Sequence, residues 1–166
     1  VEPGGTVFVS PGIYLETISI DKNVNLVAEN PELTIIDGGN NGWIIEIGLV
    51  ENVEISNFTI KNGQGINFYG STGDLKITNS LIVETNADWE AVIFNSADTL
   101  DLENVTMANN QSYGNTIISV SSGGHLNIIN SIIRGQDESG NPQAIVLGFN
   151  STSTATDTVG ETGWIT

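Results

Sequence analysis

The chain has no cysteine, a single methionine, a single histidine and four basic side chains among its 166 residues. Without cysteine, a disulfide framework and a thiolate metal site are both excluded. Four basic residues cannot supply the clustered positive charge that a nucleic-acid backbone requires, so nucleic acid is not an expected partner. The sequence also lacks a run of about 18 apolar residues, and it therefore predicts no membrane span.

Most of the charged side chains are acidic. Twenty Asp and Glu side chains give a net charge of −16. Charge of this sign favours solubility in a salty or calcium-containing medium, and it opposes approach to an acidic membrane surface. The chain begins at Val1 rather than Met and shows no signal-peptide pattern, which is typical of a processed or trimmed product. An extracellular or cell-surface location is the expectation.

An eight-residue pattern occurs four times: apolar, any, apolar, any, Asn, two alternating residues, and a final apolar residue. Its copies are Val53–Ile60, Leu75–Ile82, Leu100–Met107 and Leu126–Ile133. A second alternating apolar pair precedes each copy; these pairs are Ile45/Ile47, Ile66/Phe68, Val92/Phe94 and Ile118/Val120. Alternation with a period of two residues predicts β-strands throughout, and no segment has the period of a helix.

Each repeat therefore contains three short strands, and a unit this small cannot bury its own apolar face. Stacked units can bury it, because like residues then form continuous columns. The predicted fold is all-β: a right-handed, single-stranded parallel β-helix of about six to seven rungs over residues 1–150. The Ser/Thr-rich tail, residues 151–166, forms a last irregular rung, a strand that pairs with another copy, or a linker.

The repeated asparagines are predicted to be structural. They are spaced 22, 25 and 26 residues apart, and they are Asn57, Asn79, Asn104 and Asn130. Asparagine tolerates the left-handed backbone conformation that a sharp bend between two strands needs. Stacked, inward-pointing amides would also satisfy turn groups that are otherwise buried without a partner. We interpret the four residues as a turn ladder.

The run GTVFVSPGIYLETISIDKNVNLVAENPELTIIDGG and the phrase VEISNFTIKNGQGI resemble the opening rungs and the core repeat of pectate-lyase-like proteins. This superfamily of secreted and surface proteins has the right-handed parallel β-helix repeat, and the resemblance covers about residues 4–150. It implies the fold. Its members include polysaccharide lyases, hydrolases, esterases, phage tailspikes, adhesins and surface proteins without known activity, so it implies no single function.

Catalysis is not predicted. A lyase of this superfamily implies a basic residue beside calcium-holding carboxylates on the face of the early strands. The outward positions predicted there are Glu46, Gly48, Asn67, Tyr69, Ile93, Asn95, Ser119 and Ser121. They include one acid and no base. Lys61 and Arg134 fall three rungs apart, about 14 Å, which is too far to act on one sugar carbon. His125 follows two glycines and is interpreted as a turn residue. A polysaccharide lyase or hydrolase remains the catalytic alternative.

Binding of carbohydrate is an alternative to a structural role. Tyr69, Trp89 and Tyr113 could offer flat apolar faces, with Asn67 and Asn95 as polar partners. The competing interpretation is that these loop aromatics pack back over the side of the solenoid. Calcium could bind at 37–41 or at 137–141, but neither segment has the spacing of a calcium loop. No cofactor is therefore predicted.

The ends of the solenoid suggest the leading functional hypothesis. A β-helix whose end rungs are not capped exposes unpaired backbone and apolar core. No amphipathic cap precedes Gly5 in this sequence. We therefore predict a non-catalytic structural or adhesive protein that associates with copies of itself end to end, as in a filament, or with other surface proteins. Polysaccharide is the partner under the alternative.

Overall fold

The structure is a computed structural model, and it describes residues 1–69, 73–88, 92–95, 98–114, 116–137, 139–142, 144–148 and 150–156. Strands and turns account for this part of the chain, and within it no helix is long and apolar enough to cross a membrane. The all-β prediction is confirmed.

Twenty strands follow one another along the chain. The first ten are β1 (Gly5–Val9), β2 (Gly12–Leu15), β3 (Ile18–Ile20), β4 (Val24–Ala28), β5 (Thr34–Asp37), β6 (Ile45–Ile47), β7 (Asn52–Ser56), β8 (Thr59–Lys61), β9 (Ile66–Phe68) and β10 (Asp74–Thr78). The other ten are β11 (Leu81–Val83), β12 (Asn86–Ala87), β13 (Ile93–Asn95), β14 (Thr99–Glu103), β15 (Thr106–Ser112), β16 (Thr116–Val120), β17 (His125–Ile129), β18 (Ile132–Gln136), β19 (Ala144–Leu147) and β20 (Thr152–Thr156).

The strands form three parallel sheets that the chain visits in turn. The first sheet has the order β1-β4-β7-β10-β14-β17-β20, and the third has the order β3-β6-β9-β13-β16-β19. The second runs β2-β5-β8-β11-β15, with β18 beside β15 and the short β12 paired with the end of β15. This is a parallel β-solenoid, as predicted. Sheets of six and seven strands agree roughly with the predicted number of rungs. The right-handed sense of the coil stays a prediction.

Each copy of the repeat contributes to one strand of the first sheet and to the next strand of the second sheet. Val53, Leu75, Leu100 and Leu126 are in register with one another and buried. Ile55, Ile77, Leu102 and Ile128 form the next inward column. Burying one such side chain stabilises a fold by about 1.5–3 kcal/mol relative to leaving it exposed. The stacked columns are therefore the core of the solenoid.

The predicted register is wrong by one residue at β13. Ile93, and not Val92, lies opposite Ile66 and Ile118, so Ile93 belongs to an inward column and not to the outer face. Val92 and Ile93 are both completely buried. Because Val92 and Ile93 are both apolar, the sequence pattern allows either residue to occupy the inward column. Pairing with the neighbouring rungs decides which of them does.

The repeat pattern does not define the strands of the first and last rungs. β2 begins at Gly12, the last residue of the Ser-Pro-Gly turn, and pairs with β5. The pairings of β4 with β7 and of β5 with β8 define the register between residues 24 and 43. At the other end, β19 pairs Ile145 with Ile118. The tail contributes β20, which continues the first sheet beyond β17.

The repeated asparagines occupy left-handed turns. Asn57, Asn79, Asn104 and Asn130 have φ values of 65°, 48°, 55° and 49°. Each backbone N–H donates to a carbonyl of the next rung, at 3.0–3.1 Å. The expectation of inward amides is wrong, since Asn57 is half-buried and the other three are exposed. The Asn104 amide donates to Asn79 Oδ1 at 3.0 Å, and the Asn57 amide donates to the Ala28 carbonyl at 2.8 Å.

A second turn ladder, which the repeat pattern does not predict, follows β5, β8 and β11 of the second sheet. Its members are Asn40, Asn62 and Glu84, with φ values of 60°, 57° and 55°. Backbone hydrogen bonds link them: the Asn40 N–H donates to the Asn62 carbonyl at 2.8 Å, and the Asn62 N–H to the Glu84 carbonyl at 3.2 Å. Glu84 is the member whose side chain is poorly suited to this conformation.

We expect Glu84→Asn to raise the free energy of unfolding by about 1 kcal/mol, because asparagine relieves most of the left-handed strain. Glu84 is exposed, so the substitution leaves the core intact. Urea denaturation measures the change. The matched control is Glu46→Asn on the extended strand β6, where no gain is expected. Equal stability of Glu84→Asn and the unmodified chain would contradict the strain argument.

Candidate functional site

Asn67 lies in the middle of β9, on the outer face of the third sheet. Its backbone is in register with Glu46 on the preceding rung. The Asn67 side chain is half-buried, and its Oδ1 is buried without a hydrogen-bond partner. Glu46 beside it is exposed. The two side chains form a polar pair on neighbouring rungs, about 4.8 Å apart along the solenoid axis.

Tyr69 follows directly after β9 and is 54% exposed. Its N–H donates to the Ile47 carbonyl at 3.1 Å, which ties it to the preceding rung. A Cβ at Gly48 would lie 3.3 Å from the Tyr69 hydroxyl, so the glycine leaves room for the ring. Tyr69 therefore lies close to Glu46 and Asn67. We call Glu46, Gly48, Asn67 and Tyr69 the third-sheet patch.

Asn95 and Trp89 are two of the other predicted carbohydrate contacts. The backbone of Asn95 is in register with Phe68 and Val120. The Asn95 side chain and the whole of Trp89 lie outside the described part of the structure, so their contact with carbohydrate stays a prediction.

Tyr113 is exposed but distant from Tyr69. It lies before β16, whereas Tyr69 lies after β9, so the two residues are at opposite ends of the third-sheet strands. They are also two rungs apart, which is about 10 Å along the axis. The two rings cannot flank one sugar residue. Chain order alone could not show this, because it does not say which corner of the coil each loop occupies.

The basic residues are separated as the sequence predicts. Lys61 Nζ lies 3.9 Å from Asp37 Oδ2 on the neighbouring strand of the second sheet. Pairing then runs from Lys61 through Val83 to Ala108, and Arg134 lies on the strand beyond. The described residues contain no group of three or more His, Asp or Glu side chains that could hold a metal ion.

A groove that the sequence does not predict lies beside Arg134. It has a volume of about 250 Å³, and Asn109, Arg134 and Gln136 contribute to its lining. A β-bulge creates it: Met107 pairs with Ile133 and Asn110 with Gly135, so two residues of β15 face one of β18. Asn110 is buried beneath and accepts from the Thr85 hydroxyl at 2.9 Å. No local sequence signal marks a bulge that arises from pairing across 26 residues.

Both candidate calcium segments use their aspartate to order a loop. Asp37 Oδ1 accepts from the Gly39 N–H at 3.0 Å, and Asp37 Oδ2 accepts from the Asn62 amide at 2.8 Å. Asp137 Oδ1 accepts from the N–H groups of Ser139 and Asn141, each at 2.8 Å. These hydrogen bonds give Asp37 and Asp137 a structural role in ordering their loops.

The loop from Asp137 to Asn141 lowers the pKa of the Asp137 carboxyl. The Asn141 side-chain amide, which donates at 2.8 Å, and then the Asn141, Ser139 and Gly140 backbone hold the pKa of the Asp137 carboxyl below its ordinary value of 3.8. Because the folded-state pKa is depressed, the ionised carboxylate favours the folded loop above the unfolded-state pKa. That contribution is lost as the pH falls through the folded-state pKa.

In an NMR titration, the Asp137 carboxyl should therefore have its midpoint below 3.8. Asn141→Ala removes the largest cause, and we expect it to raise the midpoint toward the ordinary value. Ser139→Ala keeps the backbone donor and serves as the control, with no change expected. An unchanged midpoint in Asn141→Ala would show that this amide does not stabilise the carboxylate.

His125 is the first residue of β17, directly after the two glycines, and its Nδ1 contacts the Thr152 hydroxyl on β20. It therefore contributes to the pairing of the last strand of the first sheet.

No family model, no curated protein and no solved structure matches the chain.

Proposed function

We propose that the chain is a non-catalytic structural or adhesive protein of the extracellular space or cell surface, whose copies associate end to end. The observation that carries this proposal is the character of the terminal strands. β1, β2 and β3 at one end, and β20 at the other, contain no charged residue in a chain of net charge −16.

Each of the outermost strands pairs with one strand of the described part of the chain. β1, β2 and β3 each pair with one neighbour, and β20 pairs with β17. An edge strand exposes a row of backbone donors and acceptors, and soluble proteins usually guard it with charge or proline. Here the charges lie on internal strands, such as Glu54 on β7, Lys76 on β10 and Asp101 on β14. The terminal strands themselves would therefore bring no charged side chain into a contact between two copies.

The apolar interior is open at the end formed by the first rung. A cavity of about 430 Å³ there includes Val7, Ile18, Leu26, Ile36 and Phe58 in its lining. Burial of this apolar surface would favour association, at about 25 cal/mol for each Å² removed from water. A second solenoid would supply strands and side chains of matching spacing, since its rungs repeat at the same distance.

The first rung also exposes large apolar side chains on its outer surface. Phe8, Ile13 and Leu15 are 81%, 72% and 75% exposed. Later positions in the same columns include Glu103 and Lys61, which are charged. Apolar surface concentrated at one end of an otherwise acidic molecule is typical of a contact surface. It supports attachment through this end.

The positions of the basic groups support a non-catalytic role. Lys61 is engaged with Asp37, and Arg134 lies three strands away in the second sheet. Neither lies on the third sheet, where the superfamily resemblance implies the catalytic face. A proton-abstracting group must come within hydrogen-bond reach of its substrate, and none of the described basic residues lies on that face.

End-to-end association is tested with the purified chain by light scattering coupled to size-exclusion chromatography, and by negative-stain imaging. We expect concentration-dependent oligomers that Thr6→Glu weakens about tenfold, because it places a carboxylate on the outermost strand β1. The control is Asn25→Glu, in the same outward column but one strand inside. A chain that stays monomeric at every concentration would refute the association.

A second candidate function is carbohydrate binding at the third-sheet patch. The observation that favours it is the exposed ring of Tyr69 beside Asn67 and Glu46, since an aromatic face with polar neighbours suits a sugar ring and its hydroxyls. This version of the site is argued from Tyr69, Asn67 and Glu46 and does not depend on Tyr113, Trp89 or Asn95.

Binding to a polysaccharide panel, measured by calorimetry, tests the second candidate. Tyr69→Ala should abolish detectable binding because it removes the flat apolar surface. Tyr113→Ala should leave binding unchanged, since Tyr113 lies two rungs away at the opposite end of the strands. Equal loss of binding in both variants would argue against the third-sheet patch, and absence of binding by the unmodified chain would refute the second candidate.

A further inference from the structure

Two Asn-Gly pairs occur in the chain, Asn41-Gly42 and Asn62-Gly63, and both follow strands of the second sheet. We infer that Asn41 is a site of spontaneous deamidation in the folded protein, and that hydrogen bonding and burial protect Asn62 from the same reaction. The inference is independent of the proposed association, because it concerns the chemistry of one loop within one copy.

The reaction joins the asparagine side chain to the backbone of the residue that follows it. The Gly42 nitrogen attacks Asn41 Cγ, the Cγ–Nδ2 bond breaks, and the Nδ2 group leaves as ammonia with the proton of the Gly42 nitrogen. Water then opens the cyclic imide. Cleavage of the bond between the nitrogen and Cγ gives aspartate, and cleavage of the bond to the Asn41 backbone carbonyl carbon gives isoaspartate.

The loop after β5 leaves both reacting groups accessible. Asn41 and Gly42 are exposed. Among the described residues, no acceptor pairs with the Gly42 N–H and no hydrogen bond holds the Asn41 side chain. A Cβ at Gly42 would meet nothing within 4 Å, so the surroundings of its nitrogen are open. Since exposed side chains change rotamer within nanoseconds, Asn41 Cγ can approach that nitrogen without any opening of the core.

Asn62 has the same neighbour in sequence but a different environment. Its Nδ2 donates to Asp37 Oδ2 at 2.8 Å, and its N–H donates to the Glu84 carbonyl at 3.2 Å. Gly63 is buried, and a Cβ there would lie 2.6 Å from Ile44 Cγ1. Attack at Asn62 therefore requires loss of an amide-to-carboxylate hydrogen bond, which lowers the reactive population by about tenfold or more.

The loop that carries Asn41 is fixed to the next rung on both sides of the reacting bond. The Asn40 N–H donates to the Asn62 carbonyl at 2.8 Å, and the Gly42 carbonyl accepts from the Gln64 N–H at 2.8 Å. Isoaspartate would lengthen the backbone between these two anchors and add a carboxylate to the surface. The core columns lie outside this loop, so we expect the modified chain to keep the solenoid fold.

Peptide mapping of the purified chain tests the inference after incubation in mildly alkaline buffer. Tryptic cleavage after Lys22, Lys61 and Lys76 places Asn41 and Asn62 in different peptides. Mass spectrometry detects the mass gain from amide to carboxyl, and fragmentation assigns the site. We expect deamidation at Asn41 to be about tenfold faster than at Asn62, or more. In concentrated urea the two rates should become similar, because glycine follows both asparagines.

Two variants separate the causes, and circular dichroism first verifies that each is folded. Gly42→Asn is matched to the backbone, since asparagine tolerates the φ of 62° at this position while its side chain hinders attack by the nitrogen. It should suppress most of the deamidation at Asn41. Asp37→Ala removes the acceptor of the Asn62 amide, and we expect it to accelerate deamidation at Asn62.

Each outcome supports or overturns the inference. Faster reaction at Asn41 in the folded chain, with similar rates in urea, supports it. Reaction of Asn62 as fast as Asn41 in the folded chain would overturn it, and so would a folded chain in which Asn41 stays intact while both sites react in urea. An unchanged rate at Asn62 in folded Asp37→Ala would show that Asp37 does not protect it. A chain that stays monomeric in light scattering refutes the association alone.

Discussion

The structure depends on parallel, in-register stacking of rungs that cannot bury their apolar faces alone. Leu75, for example, is completely buried only because Val53 and Leu100 lie on either side of it. Each internal rung has two such neighbours, and the first rung has one. This explains why burial falls toward the first rung, where Val7 and Ile18 are half-buried and Phe8 is exposed. The apolar faces of an end rung are therefore covered by a neighbouring rung on one side only.

The corners between the sheets impose a second requirement, a left-handed residue at each sharp bend. Asparagine fulfils it in most rungs, and its N–H continues the hydrogen-bond ladder between rungs. Glu84 fulfils it at a cost in backbone strain. These requirements restrict the residues of the stacked core columns and the turns, whereas residues on the outer face of the third sheet lie outside the core. Carbohydrate binding is proposed on that face.

The candidate carbohydrate site was predictable in part. Asn67 and Tyr69 are two residues apart along one strand and its exit, so local alternation places both on the same face of the sheet. Asn95 and Tyr113 belong to other rungs, and their positions depend on register and on the corner that each loop occupies. The adjacent apolar residues Val92 and Ile93 made alternation ambiguous at β13, and a one-residue error moves every side chain of a strand to the other face.

By itself, the sequence determined the fold class, the core columns of the first sheet and the asparagine turns. All of these follow from a repeat that is visible along the chain, because identical units stack identically. Only the tertiary structure decided the register of β13 and β19, the presence of β2, the second turn ladder and the bulge beside Arg134. Each of these arises from pairing between segments more than 20 residues apart, where backbone hydrogen bonds and neighbouring side chains outweigh local pattern. Among the described residues, the same pairing makes β1 and β20 the outermost strands of the first sheet.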